Sequence, residues 1–363
     1  MPKTIVLTGG GTAGHITPNI SLIPLLQQRG WSVHYIGSRA GMERELIGPI
    51  PGVAYHGISS GKLRRYLDPK NLTDPFRVMA GTAQAVRLLK RLKPSVVFSK
   101  GGFVSVPVAY AARLAHVPLV LHESDLTPGL ANRLAMPQAA RVCTTFPETA
   151  EKLGAKARHT GVPIRAELFT GNAENGLQRC GFAHSGSPVL LMMGGSLGAS
   201  SINAVLREIL PKLLRQFRVI HICGKGNIDE TLTGKPGYAQ FEYVSEGLAD
   251  LFAAAELILS RAGANAIFEF LALRKPMLLI PLPLTASRGD QIDNAKSFAK
   301  QGFAKVLMQE NMTADSLYDA ILDTWVNRAV LKDKMAGSAQ ADGTASVLEE
   351  IEKAAKRSMR EEA

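Results

Sequence analysis

Residues 9–15 read GGGTAGH, a glycine run followed by an imidazole in front of an apolar, helix-like stretch. Glycines let a backbone approach a bulky ligand, and the amides of a helix N-terminus favour negative charge. The same dipole disfavours an imidazolium, so His15 is expected there as a neutral base. Further loops concentrate chemistry behind apolar runs. SKGGFVSVP, residues 99–107, holds a second glycine pair, and LHESDLTPGLANR, residues 121–133, holds His122, Glu123 and Asp125. MGGSLGAS, residues 193–200, presents Gly194, Gly195 and Ser196. In SRAGANAIFEF, residues 260–270, Arg261 ends a strand, Gly263 opens the backbone, and the helix that follows offers amides suited to a diphosphate. Glu269 lies about a turn and a half into that helix, where a carboxylate can accept both hydroxyls of a ribose. TASRGDQIDNAK, residues 285–296, crowds Arg288, Asp290, Gln291, Asp293 and Asn294, donors and acceptors suited to sugar hydroxyls. Taken singly, each loop also suits a plain turn or a helix cap.

Gly9, Gly11 and Gly14 match G-x-G-x-x-G between a strand and a helix, so a dinucleotide fold is a rival reading. A NAD site wants an acid at the end of the second strand, and Ser38 and Arg39 stand there instead. Arg39 suits a 2′-phosphate, which leaves an NADP-linked oxidoreductase open. No D-x-D triplet occurs, and no histidine–carboxylate cluster has metal-ligand spacing. The expectation is a diphosphate handled without a metal, and no cofactor.

The elements that must position these loops alternate in type. TIVLT, SVHYIG, SVVFSKGG, PLVLHE and RVCTTF in the first half, and PVLLMMGGS, FRVIHICG, AQFEYV, LILSRAG and PMLLIPLP in the second, are short apolar runs separated by helical patterns. That alternation predicts α/β architecture: two tandem Rossmann-like, doubly wound domains with parallel sheets covered by helices. Ligands of such sheets bind outside the carboxyl ends of the strands, so the loops are expected to face one another across a cleft. HTGVPIRAELF reads as a linker, placing the domains at 1–163 and 164–340. The tail 341–363, ending SVLEEIEKAAKRSMREEA, reads as a charged amphipathic helix.

The length of 363 residues, with 46% hydrophobic and 20% charged, fits two soluble globular domains. Three scattered cysteines suggest neither a zinc site nor a disulfide scaffold, and fit a reducing cytosol. No signal peptide or run of about 18 apolar residues is read, so the chain is expected to be neither exported nor membrane-spanning. The net charge of +11 is uneven: residues 1–163 carry 20 Lys+Arg against 8 Asp+Glu, and residues 164–363 carry 22 against 23. The first domain is therefore expected to face a polyanion. SSGKLRRYLDPKN and FRVMAG interleave Lys62, Arg64 and Arg65 with Leu63, Tyr66, Phe76 and Met79, a pattern suited to an anionic membrane surface. No base-stacking or groove-reading motif supports nucleic acid as the partner.

In this order, GGGTAGH, KGGFVSVP, HESDLTPGLAN, GGSLGAS, SRAGANAIFEF and GDQIDNA resemble the MurG family, over nearly the whole chain. Members transfer N-acetylglucosamine from UDP-N-acetylglucosamine to a lipid-linked muramoyl-pentapeptide in peptidoglycan synthesis. The resemblance implies a GT-B fold, with the acceptor and the membrane on 1–163, UDP-sugar on 164–340, and 341–363 packed back toward the first domain. It implies inversion at the anomeric carbon, work at the cytoplasmic face of the bacterial cell membrane, and other cell-wall synthesis proteins as partners. A UDP-N-acetylglucosamine 2-epimerase shares the two-domain plan and is the other reading.

By the resemblance, His15 is the candidate base with Glu123 second, and Thr12, Ala13 and Gly14 border the acceptor. Ser196 would contact the diphosphate, and Arg165 would lie near the nucleotide. The backbone near Val244 would read uracil. Gly263 and Ala264 would offer amides to phosphate beside Arg261, Glu269 would bind ribose, and Gln291 and Asn294 the sugar. The chain departs from the common pattern at Ala13 (usually Gly), Phe103 (often Tyr), Asp125 (usually an Asn that meets the donor sugar) and Asp290 (usually Gln).

Overall fold

The computed structural model describes residues 3–61, 70–182, 186–195, 198–338 and 342–361. The chain divides into two units, Met1–Arg165 together with Asp342–Ala363, and Ala166–Ala341.

The first unit is built on a seven-stranded parallel sheet of order β3-β2-β1-β4-β5-β6-β7. Its strands are β1 (Lys3–Thr8), β2 (Trp31–Ser38), β3 (Val53–Ile58), β4 (Val96–Ser99), β5 (Leu119–Glu123), β6 (Arg141–Thr144) and β7 (Ala157–His159). The central strands are covered on both faces, so they read as near-continuous apolar runs: Val96, Val97, Phe98 and Ser99 of β4 are all buried. The outer strands β3 and β7 are half-exposed and carry Tyr, His, Gly and Arg, which is why no apolar run announced them.

The C-terminal helix Thr344–Glu361 belongs to this unit. Its Val347, Leu348, Ile351, Ala354 and Ala355 join the core formed by Ile5, Leu7, Leu26, Phe98 and Val120. Glu350, almost fully buried, pairs with Arg141 at 3.1 Å and Arg158 at 2.6 Å, and the more exposed Glu352 meets Arg29 at 2.7 Å. The division between the units falls in the stretch read as a linker, and its first half is held within the first unit: Val162 and Ile164 are buried, and Val162 O accepts from Gly343 N at 2.9 Å.

The second unit carries a six-stranded parallel sheet of order β10-β9-β8-β11-β12-β13. These are β8 (Val189–Met193), β9 (Arg218–Ile222), β10 (Tyr238–Phe241), β11 (Leu257–Ser260), β12 (Met277–Leu279) and β13 (Ala304–Val306). In each sheet the strand order reverses beside the first strand, between β1 and β4 and between β8 and β11. A crevice forms at the carboxyl ends of such a pair, because the two following helices leave on opposite faces. The glycine-rich loops lie at these two places.

Candidate active site

In the first unit the loops after β1 and β4 are joined. Gly10 N donates to Gly101 O at 3.3 Å, and Gly102, at φ 85°, lies against the Gly10 carbonyl where a side chain would collide. Residues Ala13–His15 form a single 3-10 turn, and the α-helix begins only at Thr17. His15 is thus in the turn before the helix and not in its first turn. Its Nδ1 lies 3.0 Å from Thr12 Oγ1, and the ring is half-exposed.

The β5 loop is built around its charged residues. Glu123 is buried, with Oε1 accepting Asp125 N at 3.0 Å and Oε2 accepting Gly129 N at 3.0 Å and Asn132 Nδ2 at 2.9 Å. Both oxygens of Glu123, the second candidate base, shape the turn that presents Ser124 and Asp125. Burial, followed by the nearby Asp125 charge, raises its pKa. Lys100, which the sequence reading passed over, is buried at the end of β4, with Nζ donating to His122 Nδ1 at 2.8 Å and to Ser124 Oγ. His122 Nε2–H in turn donates to Gly161 O at 2.8 Å, which fixes the neutral tautomer. Burial drives the Lys100 pKa down to about 7 against the attraction of Glu123 and Asp125, and burial with the Lys100 charge drives His122 well below its usual range. A lysine closing an otherwise apolar strand, as in VVFSK, was the signal available.

Glu43 is the second residue missed. It lies in the short helix Met42–Ile47, 1% exposed, and its carboxylate accepts Ser38 N at 2.9 Å, Ser38 Oγ at 2.5 Å and Gly11 N at 3.3 Å. The end of β2, where a dinucleotide ribose would be held, is therefore filled by protein. Ser38 is spent on Glu43, and the Arg39 carbonyl accepts from Arg44 at 2.8 Å.

In the second unit β8 runs into a tight glycine turn, with Gly198 N donating to Gly195 O at 2.7 Å, and the helix Ser200–Leu213 follows. Ser196 lies outside the described residues. After β11 comes the helix Ala264–Ala272, with Gly263 as its N-cap and only open space where a Gly263 side chain would be. The first amides of this nine-residue helix point away from its body. Arg261, expected against ligand, is buried and ties the crevice together. Its guanidinium donates to Ile280 O at 3.1 Å, Pro281 O at 3.2 Å and Ser201 Oγ at 3.2 Å, linking the starts of both helices. Glu269 is largely buried in the same helix.

The polar stretch 285–296 is partly helical, with Asp290–Lys300 forming an α-helix. Gln291 Oε1 accepts Leu282 N at 3.1 Å, and Arg288 pairs with Asp290 at 3.4 Å. Asn294 has no exposed surface, and its Nδ2 donates to Ala262 O at 3.2 Å, so it braces the loop before Gly263 from beneath. Val244 is buried after β10, and Arg165 is half-buried at the end of the first unit. Within each unit, loops of the expected set meet one another: Gly10 with Gly101 and Lys100 with Ser124 in the first, and Arg261 with Ser201 in the second. Of the membrane segment, Lys62, Arg64, Arg65 and Tyr66 lie outside the described residues. Phe76 (72% exposed) and Met79 (68% exposed) project from the helix Lys70–Leu92. No helix among the described residues is long and apolar enough to cross a membrane.

Two family models account for most of the chain. The glycosyltransferase family 28 N-terminal domain matches residues 5–144, and the family 28 C-terminal domain matches residues 189–354. Among relatives, the "UDP-N-acetylglucosamine--N-acetylmuramyl-(pentapeptide) pyrophosphoryl-undecaprenol N-acetylglucosamine transferase" of Geobacillus thermodenitrificans is 56% identical over 357 residues, 98% of this chain and 100% of the relative. The Lachnospira eligens protein of the same name is 54% identical, over 95% of this chain and 98% of its own. This chain belongs to the MurG family. A solved MurG of Acinetobacter baumannii, 27% identical, superposes with a TM-score of 0.76 over 97% of this chain and 100% of that one. A UDP-GlcNAc 2-epimerase of Neisseria meningitidis superposes at 0.67 with 13% identity, a likeness of fold alone. Membership confirms the paired α/β glycosyltransferase architecture and places the six motifs in a glycosyltransferase rather than an oxidoreductase.

Proposed function

We infer that this chain transfers N-acetylglucosamine from UDP-N-acetylglucosamine to the muramoyl-pentapeptide diphospho-undecaprenol lipid of peptidoglycan synthesis, converting lipid I to lipid II. The observation that carries this is identity of 52–56% over nearly the full chain to several transferases of that name. The acceptor hydroxyl attacks the anomeric carbon from the face opposite UDP, in one inverting displacement. That step needs a base for the hydroxyl proton and stabilisation of the departing diphosphate.

His15 takes the proton. Its Nδ1 lies 3.0 Å from Thr12 Oγ1, a contact that orients the imidazole ring. Ala13 and Gly14 border the acceptor. On the donor side, the N-terminus of the helix Ala264–Ala272 and the open backbone at Gly263 hold the diphosphate; the family motifs support Ser196 as a further diphosphate contact and Arg165 as a contact of the nucleotide. Glu269 accepts the ribose hydroxyls, the backbone at Val244 reads uracil, and Gln291 faces the sugar. Arg261 and Asn294 act from behind, by fixing the two helix starts and the Ala262–Gly263 turn. Asp125, in the turn shaped by Glu123, stands in sequence where the family usually has the Asn that meets the donor sugar.

The lipid acceptor stays in its bilayer, so the enzyme works as a peripheral protein at the cytoplasmic face, touching the anionic surface with Lys62, Arg64, Arg65, Tyr66 and Phe76. Other cell-wall synthesis proteins are its expected neighbours there. The deciding experiment mixes the protein with UDP-N-acetylglucosamine and measures UDP release with and without the lipid-diphosphate muramoyl-pentapeptide. Release that depends on acceptor, with a disaccharide lipid formed, is the expected result. Conversion of the nucleotide sugar without acceptor would replace the transferase reading with an epimerase.

A further inference from the structure

The first glycine loop matches a phosphate-binding pattern, yet part of it is already occupied by an anion belonging to the protein. We propose that Glu43 is the fixed internal anion of this loop, a positioning residue that holds Gly10–Gly11, and through them Thr12 and His15, in the shape the transfer reaction needs. The proposal rests on the role given to His15 above and deepens it.

The geometry is that of a built site. Glu43 projects from the first turn of Met42–Ile47 beneath the loop, and its carboxylate receives two backbone amides, Ser38 N and Gly11 N, and the Ser38 hydroxyl. Three glycines make room for it. A Cβ on Gly10 would lie 2.6 Å from Glu43 Cδ, one on Gly41 would lie 2.5 Å from both carboxylate oxygens, and one on Gly37 would lie 2.8 Å from Cγ. The surrounding hydrogen bonds extend the clamp to the rest of the loop. Tyr35 OH donates to Gly9 O at 2.7 Å, Asn19 Nδ2 donates to Thr8 O at 3.2 Å, and Tyr55 OH donates to Ser38 O at 2.5 Å.

Taking a carboxylate out of water is costly unless donors replace the hydration. Here a strand end and a glycine loop supply them, much as such loops supply them to a phosphate. Because Gly11 N–H is spent on Glu43, that amide does not serve a ligand, and the loop is ordered before the acceptor arrives. His15 follows Gly11 by four residues, so its ring inherits that order.

The test uses the full-length protein, Glu43→Gln, Glu43→Ala, and two readouts. The first is amide hydrogen exchange, independent of turnover. Either variant should raise exchange about ten-fold or more in peptides spanning 9–15 and leave those spanning 198–213 unchanged. The second is steady-state kinetics, where kcat should fall about ten- to a hundred-fold with the KM for UDP-N-acetylglucosamine held within about two-fold, the signature of a displaced acceptor-side group. Formate, which fits the space that Glu43→Ala opens against Gly11 N–H and Ser38, should restore part of both. Glu43→Gln keeps the side chain's shape and decides the matter if the alanine variant does not fold. Unchanged exchange at 9–15 in the glutamine variant overturns the proposal whatever the activity. Wild-type protein that releases no UDP on adding acceptor overturns the transferase reading instead, and the exchange data still judge Glu43.

Discussion

Replacing Glu123 by glutamine separates a base from a clamp. The carboxylate receives three donors, Asp125 N on Oε1 and both Gly129 N and Asn132 Nδ2 on Oε2. A glutamine in the same pose has one oxygen to offer. Its best orientation keeps that oxygen in the Oε2 position, satisfying two donors, and turns its own NH2 toward Asp125 N–H. One buried donor is then left facing another, which costs about 1–3 kcal/mol. The first unit contains 165 residues of the N-terminal part and 22 of the C-terminal part. At about 2–4 °C per kcal/mol for a unit of that size, its Tm should fall by roughly 2–12 °C. The alternative orientation leaves two donors unmet, about 2–6 kcal/mol, and would lower Tm by roughly 4–24 °C.

The kinetic consequence is the discriminating one. As a clamp, Glu123→Gln should change kcat by less than about ten-fold and leave the pH–rate profile in place, because no proton in the reaction passes through it. His15→Ala should lower kcat by about 10²–10⁴, the usual size of a general-base loss, with little change in the KM for UDP-N-acetylglucosamine. The assay is acceptor-dependent UDP release as a function of pH, read beside calorimetry on the same preparations. A glutamine variant with unchanged Tm, a hundred-fold lower kcat and no acid limb would move the base from His15 to Glu123.

Glu269→Ala should weaken binding of UDP-N-acetylglucosamine about ten-fold or more by calorimetric titration, and unchanged affinity would remove the ribose role. Lys100, with its pKa lowered by burial to about 7 from 10.5, binds fewer protons folded than unfolded between those values, so it makes stability rise with pH across that window. Lys100→Met should flatten the rise in Tm from pH 7 to pH 10, and an identical slope in the variant would show that Lys100 stays charged. Phe76→Asp with Met79→Asp should cut sedimentation with anionic vesicles severalfold while UDP release on a detergent-solubilised acceptor continues; undiminished sedimentation would put the membrane contact elsewhere.

How much of this was legible depended on whether a residue's partner lay near it in sequence or inside an apolar run. β1, β4, β5, β8 and β11 announced themselves because a parallel strand covered on both faces has no polar side to interrupt it. The edge strands β3, β7 and β13 did not, being only half covered. The loops after the strands were found, since glycine and charge at a strand end are visible in the letters. What the letters could not tell was which of those charges faces outward. His15, Glu123, Arg261, Glu269 and Asn294 all read as site residues; His15 is half-exposed and the other four are buried. Glu123 and Arg261 are enclosed by backbone donors and carbonyls that the chain itself brings there, and Asn294 has no exposed surface at all. Glu43 is the extreme case. GGGTAG reads as a cradle awaiting an anion, and the anion comes from 32 residues further along, across the helix Thr17–Gln28 and β2. A glycine-rich loop records a close approach without recording by what. Where the approaching group is the protein's own carboxylate, a nucleotide pattern marks a loop prepared for a different partner.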